Sequence, residues 1–325
     1  MTAAPVETPP PPTAPPERAL ARPTFQHRLE YWALRGVIGS LGALSWKRAS
    51  DVGALLGRAG YRPFGIRRGV VERQIAACFP DLAPERVQEI ALASFESLGR
   101  TTIETALVAS LGRQGLVDLF TRVDGWELVE ETRAGGRGVI FVTGHLGNWE
   151  IAGSYFAARG VPIDAIARGA ANPEFERWVT ATRERLGMRI IHDSEAVRRT
   201  PRALRENRVV AFLSDQGALG LASTYVPFFG RPAKTPRGPA VFALRLHVPV
   251  LFAVALRRPD GTFHLAIERV PVTETGDRER DVDAIVATYT SMLETWVRRV
   301  PEQYFWQHRR WRHQPADTPP HLREP

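Results

Sequence analysis

Short runs of β-branched and aromatic residues at 139–142, 161–166, 189–191 and 209–213 alternate with longer stretches whose apolar positions recur at helical spacing. That alternation predicts a mainly parallel mixed sheet flanked by helices, an α/β fold. Two more strands are expected at 248–256 and 263–270, joined at Arg258-Pro259-Asp260-Gly261, whose turn chemistry favours a hairpin. Upstream, residues 67–111 read as two helices joined by a turn, with Pro84 in the first turn of the second. A final helix is expected over 281–299. Residues 29–46 form an apolar helical segment bracketed by Tyr31, Trp32 and Trp46, as suits a membrane interface. Its uncharged part runs only from Gly36 to Trp46, short of the ~20 residues a spanning helix needs, so an interfacial or shallowly inserted anchor is expected.

Composition changes this picture at the ends of the chain. Residues 2–23 carry eight prolines and almost no large apolar side chains, which leaves too little burial to offset the entropy of ordering. The expected organisation is therefore a disordered proline-rich tail over 1–26, a membrane-associated helix over 27–47, one catalytic domain over 48–315 and a flexible tail over 316–325. The start lacks a basic segment followed by an apolar stretch and does not read as a secretory signal. Cys78 is the only cysteine, so no intrachain disulfide forms, and it reads as a small core residue near a helix end.

The formal net charge of +8 favours an anionic partner: acidic lipid, phosphorylated substrate or acidic protein. No zinc spacing, RNA-binding aromatic signature or helix-turn-helix is present, which weighs against nucleic acid and against a metal site.

The candidate chemistry lies after the run at 139–142, in Thr143-Gly-His145-Leu-Gly-Asn148-Trp-Glu150. The stretch reads strand, tight loop, helix, with Asn148 as N-cap and Glu150 in the first turn, where the helix dipole favours its ionised form. His145 then sits in the loop at the carboxyl end of a strand, where open α/β sheets hold reactive groups. A loop bent at Gly144 and Gly147 would bring the imidazole toward Glu150. The carboxylate would then hold one ring nitrogen while the other takes a proton from an attacking hydroxyl. No Gly-x-Ser-x-Gly occurs, so the alcohol is the acceptor's own and transfer is direct. With eight histidines, roughly one His-x4-Asp/Glu arises by chance, and its context distinguishes this one.

Arg168 and Asp215 follow expected strands and are candidates to line the same cleft, Arg168 for a phosphate or a developing oxyanion. Gln216 could donate to a carbonyl. Lys234 and Arg237 lie in a stiff, proline-flanked basic loop suited to an anionic ligand. In the terminal aromatic and basic stretch, Trp306, Arg309, Arg310 and Trp311 suit either docking against the body or an acidic headgroup surface.

These motifs carry a resemblance. His145-Leu-Gly-Asn-Trp-Glu150 is similar to the His-x4-Asp/Glu signature of glycerolipid acyltransferases, and its Gly-His-x-Gly-Asn-Trp-Glu form resembles the bacterial lipid A biosynthesis lauroyl/myristoyl acyltransferase branch. Ala167-Arg168 through Asn172-Pro173, Ser214-Asp215-Gln216-Gly217, Pro227 through Thr235, Pro301 through Trp311 and Cys78-Phe79-Pro80-Asp81-Leu82 resemble further blocks of that family in the expected order. The resemblance implies a glycerol-3-phosphate acyltransferase-like fold, His145 and Glu150 as the catalytic pair, and substrate contacts from Arg168, Asp215, Gln216, Asn148, Lys234, Arg237, Arg309 and Arg310. It also implies acyl carrier protein thioester as donor, with acyl-CoA the alternative, a phosphorylated glycolipid of the lipid A type as acceptor, and a place on the cytoplasmic face of the inner membrane. A thioester is already activated, so no metal or organic cofactor is required. Competing readings are a phosphatidylinositol mannoside or other lysolipid acyltransferase, a thioesterase, and a noncatalytic basic module that binds membrane surfaces.

Overall fold

The computed structural model describes residues 23–169, 172–217 and 222–325. The reading of a disordered proline-rich tail falls almost wholly on residues 1–22, outside the described residues.

Four helices lead the chain: α1 (Phe25–Leu41), α2 (Trp46–Tyr61), α3 (Arg68–Cys78) and α4 (Pro84–Leu107). The apolar segment at 29–46 is thus split, because α1 ends at Gly42 and Ser45 starts a second helix. No helix among the described residues is long and apolar enough to cross a membrane. Helices α2 and α4 cross at van der Waals contact through glycines; a Cβ on Gly57 would lie 2.0 Å from the Phe95 carbonyl oxygen.

After α5 (Gly112–Asp118) the α/β body runs β1 (Phe120–Asp124), α6 (Trp126–Ala134), β2 (Val139–Thr143), α7 (Trp149–Ala158), β3 (Ile163–Ala167), α8 (Pro173–Arg185), β4 (Met188–His192), α9 (Ala196–Arg205) and β5 (Val209–Leu213). It continues with β6 (Ser223–Phe228), β7 (Arg231–Pro236), α10 (Gly238–Leu246), β8 (Val250–Arg257), β9 (Phe263–Val270) and α11 (Arg278–Arg299). Seven strands form one sheet in the order β1-β9-β8-β2-β5-β3-β4, antiparallel only between β8 and β9. This is the expected parallel-dominated sheet. The outer strand β1 went unread because Phe-Thr-Arg-Val-Asp carries only two large apolar residues and is buried only at Phe120.

The basic stretch expected as a stiff loop is instead β7, half of a two-stranded ribbon with β6. Ala233 and Thr235 alternate inward along it, and its prolines are tolerated because the ribbon has no further neighbour to receive their missing N–H groups. Phe229 (φ 51°) and Gly230 (φ 71°) make the two-residue turn with the positive dihedrals a tight hairpin needs.

The two faces of the sheet build separate cores. Ile140, Val142, Val210 and Phe212 face α10 and α11, whereas Phe141, Leu251 and Ala253 face α7. The C-terminal residues, expected as a flexible tail, are tied down: Arg309 pairs with Glu324, and Arg231 donates to the carbonyls of His321 and Arg323.

Candidate active site

The loop from β2 to α7 is held from three sides. Asn148 caps α7, its Oδ1 accepting from the Ile151 N–H at 3.1 Å, and its Nδ2 donates to Glu104 at 2.9 Å. Glu104 is buried and also receives the Arg257 guanidinium and the Ser50 hydroxyl. Burial pushes the Glu104 carboxyl up, but the Arg257 charge and these hydrogen bonds outweigh it and lower the group below its ordinary value. Gly147 sits at φ 64° with its Cα against β8; a Cβ there would lie 2.0 Å from the Ala255 carbonyl oxygen, so only glycine fits. From the far end of the chain, Gln303 accepts from the Gly147 N–H at 3.0 Å, and Phe305 donates to the His145 carbonyl at 3.0 Å. The terminal aromatic stretch therefore serves as a clamp on this loop.

His145 lies at the carboxyl end of the sheet, as expected, but the carboxylate on its ring is Asp215, not Glu150. His145 Nδ1 lies 2.7 Å from Asp215 Oδ1, and the His145 backbone N–H donates to Oδ2 at 2.9 Å. Strands β2 and β5 are parallel neighbours with Thr143 opposite Leu213, so His145 and Asp215 each stand two residues beyond the same rung. Glu150 faces another way because it lies on α7. It takes a two-pronged ion pair from Arg183 of α8, at 3.0 and 2.5 Å.

Burial would raise the Asp215 carboxyl. The His145 imidazolium, the two hydrogen bonds from His145 and the nearby Arg310 guanidinium win, and the group is held at about 2. A charged Asp215 beside Nδ1 favours the tautomer with the proton on that nitrogen. The Gln216 amide nitrogen lies 3.2 Å from Nδ1, beside the ring. Trp149 and Phe305 wall the imidazole, with ring centroids 4.6 and 5.8 Å away.

His145, Glu150, Arg168 and Gln216 all line one cavity of about 700 Å³. It runs between the sheet and α7, where Ala165, Ala211 and Ala253 leave space that larger residues would fill, and ends at Ile163 and Met188. Ile163 and Met188 share a rung with Val209 and thus with Val139, four residues below the end of β2 at Thr143, so the trough follows the sheet for about 13 Å.

The other expected contacts divide. Arg168 is at the rim, 62% exposed and paired with Asp193 at 3.0 Å. Arg310 is buried beneath the site, donating to the Lys234 carbonyl and the Thr235 hydroxyl, both at 2.7 Å, with Asp215 close enough to feel its charge. Asn148, Lys234, Arg237 and Arg309 do not line the cavity. Asn148 is spent on the cap and on Glu104, Arg237 pairs with Glu279 and Asp283, and Arg309 is paired with Glu324.

Sequence reasoning left Arg183 and Met188 out altogether, since neither stands in a motif and both reach the site only through packing. His308, quoted only as part of the terminal motif, also lines the cavity. Burial pushes its imidazole down to about 4, partly opposed by Asp215, so it is neutral near pH 7.

An imidazole backed by a buried carboxylate, opening on an apolar trough at the carboxyl edge of an α/β sheet, is an arrangement that suits a group-transfer enzyme with a long-chain substrate. Sequence comparison narrows that class. The family described as bacterial lipid A biosynthesis acyltransferase matches residues 20–313, and the chain belongs to it. It is an acyl-transferring enzyme. Similar proteins include the lipid A biosynthesis lauroyltransferase of Escherichia coli (strain K12), 26% identical over 89% of this chain and 93% of the relative. The palmitoleoyltransferase of the same strain is 26% identical over 78% and 82% of the two chains. A phosphatidylinositol mannoside acyltransferase of Mycobacterium tuberculosis (strain ATCC 25618 / H37Rv) is 30% identical over 49% and 52%.

Proposed function

We propose that this enzyme performs a secondary acylation of lipid A: it moves a fatty acyl chain from an acyl carrier protein thioester to a hydroxyl of a phosphorylated lipid A precursor. The observation that carries the reading is the His145–Asp215 pair at 2.7 Å opening on an apolar trough that follows the sheet for about 13 Å. A bilayer core of about 30 Å holds two opposed chains, so the trough is comparable in length with one membrane acyl chain.

In this reading Nε2 of His145 takes the proton of the acceptor hydroxyl as its oxygen bonds to the thioester carbonyl carbon. Asp215 holds the ring in the required tautomer and stabilises the imidazolium, the role expected of Glu150 from sequence. The negative charge on the former carbonyl oxygen meets the Gln216 amide and the cationic rim of Arg168. When the tetrahedral centre collapses, the carbon–sulfur bond breaks, and the leaving thiolate takes the proton back from Nε2. The Glu150–Arg183 pair fixes α8 against α7 and so sets the width of the trough. The +8 net charge suits an acidic carrier protein and a phosphorylated acceptor.

Membrane attachment belongs to the same proposal. Helix α1 exposes Phe25, Leu29, Trp32 and Val37, an apolar face suited to the cytoplasmic surface of the inner membrane. The proposed domain division keeps the catalytic unit at 48–315, with the preceding helix as its membrane-associated part.

A second reading rests on the mycobacterial relative: the same chemistry with acyl-CoA as donor and a phosphatidylinositol mannoside or another lysolipid as acceptor. The test is product analysis by mass spectrometry, with purified enzyme, acyl carrier protein and CoA thioesters of one fatty acid as donors, and a lipid A precursor and a phosphatidylinositol mannoside as acceptors. One added acyl chain, absent with His145→Ala, supports the first reading. Acylation of the mannoside alone supports the second, and free fatty acid without acylated lipid overturns both.

A further inference from the structure

A second apolar recess lies on the other side of the terminal aromatic segment. It has a volume of about 420 Å³ and lies along the glycine contact of α2 and α4, with Leu56, Gly60, Phe95 and Leu98 among its walls. Its inner end is Phe305, the ring that stands 5.8 Å from the imidazole of His145. His145 lines the first hollow and Phe305 the second, so the two packed rings link the hollows. At the outer mouth Leu56 and Ile66, 54% and 59% exposed, adjoin Phe64 at 74%. Arg67 stands at the same rim, its guanidinium donating to the Gln307 carbonyl at 3.0 Å.

We propose that this recess binds an acyl chain of the acceptor, so that the acceptor's hydroxyl is delivered over Phe305 to His145 while the donor chain fills the trough beneath α7. The inference rests on the function proposed above and adds a binding site to it. An acceptor hydroxyl carried on a fatty chain must bring that chain to the base. The first trough cannot hold two chains along its length, and the second hollow is the apolar space that reaches Phe305, the ring packed beside that imidazole. The exposed apolar mouth lets a chain enter from a bilayer surface, and Arg67 suits the anionic head group of the same molecule.

The test uses the full-length enzyme, one long-chain acyl carrier protein thioester, and two acceptors: a phosphorylated glycolipid bearing a long 3-hydroxyacyl chain, and its analogue bearing 3-hydroxybutyryl. Thr102→Trp places an indole in the recess from an exposed position. Gly60→Leu fills it from the opposite helix, where an added Cβ would make ordinary contact with Phe95 at 3.6 Å. Loss of several buried methylene contacts should raise KM for the long-chain acceptor about tenfold or more. Turnover of the short analogue and KM for the donor should stay near wild type. Equal loss with both acceptors, a shift in donor KM, or no change with either variant overturns the proposal.

Should both variants fail to fold, the wild-type enzyme decides. A photoreactive group at the end of the acceptor's hydroxyacyl chain should label peptides from 46–61 or 84–107, and labelling confined to 149–167 overturns the assignment. If the wild type acylates neither acceptor, the function proposed above falls, and this inference with it. Normal acylation with labelling elsewhere sinks the inference alone.

Discussion

Thr143 on β2 and Leu213 on β5 face each other across one rung of the parallel sheet, and this pairing puts His145 and Asp215 at the same height, 2.7 Å apart. Replacing Asp215 by Asn keeps the volume but offers the ring no charge and allows the wrong tautomer. Turnover should fall on the order of 10²- to 10⁴-fold with little change in KM. Glu150→Gln should instead act through the Arg183 pair, disturbing KM for the acyl donor more than kcat. Steady-state kinetics of the two variants separate the roles, and the opposite ranking would return the orienting role to Glu150.

The floor of the trough offers a second check. A Cβ on Gly153 would lie 3.0 Å from Met188 Sδ, so Gly153→Val closes the deep end without touching His145. Preference should move toward shorter acyl donors, with kcat/KM for a long donor falling about tenfold. Met188→Ala should move the preference the other way. A donor-length profile left unchanged by both would remove the acyl chain from this cavity.

Acid should weaken the fold in two stages. His308 is neutral in the folded protein because burial depresses its imidazole to about 4, whereas the unfolded chain takes up a proton near 6.5. The unfolded state then binds more protons between those values, so stability declines as pH falls through that window. Asp215, held at about 2 against 3.8 when unperturbed, adds stability above 3.8 that is lost as pH falls toward 2. Urea unfolding followed from pH 7 to pH 4.5 should show a smaller decline for His308→Gln than for wild type.

Beneath the loop, Glu104 and Arg257 form a buried pair, their side chains 1% and 7% exposed. Glu104→Ala strands the guanidinium and frees Asn148 Nδ2, and should cost about 3–5 kcal/mol of stability. The midpoint of chemical denaturation measures it; a loss below about 1 kcal/mol, the range of exposed pairs, would mean that solvent already reaches Arg257.

Much of this was readable in one dimension because strands and helix starts are local. Residues 209–213 and 263–270 were read with the bounds the structure has, and Asn148 was recognised as the α7 cap from its position before Trp149. His145 was found for the same reason, since a strand, glycines and a capped helix all lie within a few residues of it. The same local logic misassigned Glu150: it is the nearest carboxylate in sequence, but the first turn of α7 directs it to Arg183.

The chain's own pattern therefore determined an α/β sheet, a reactive loop at one strand end and the histidine in it, because those depend on neighbours a few residues apart. Which carboxylate meets the histidine, where the trough ends and what the terminal aromatics hold were decided only by tertiary structure. Strand order and register join β2 to β5 across 70 residues and carry Phe305 back to the loop. No periodicity in the sequence encodes that adjacency, which arises from how the strands pair once the two cores have closed.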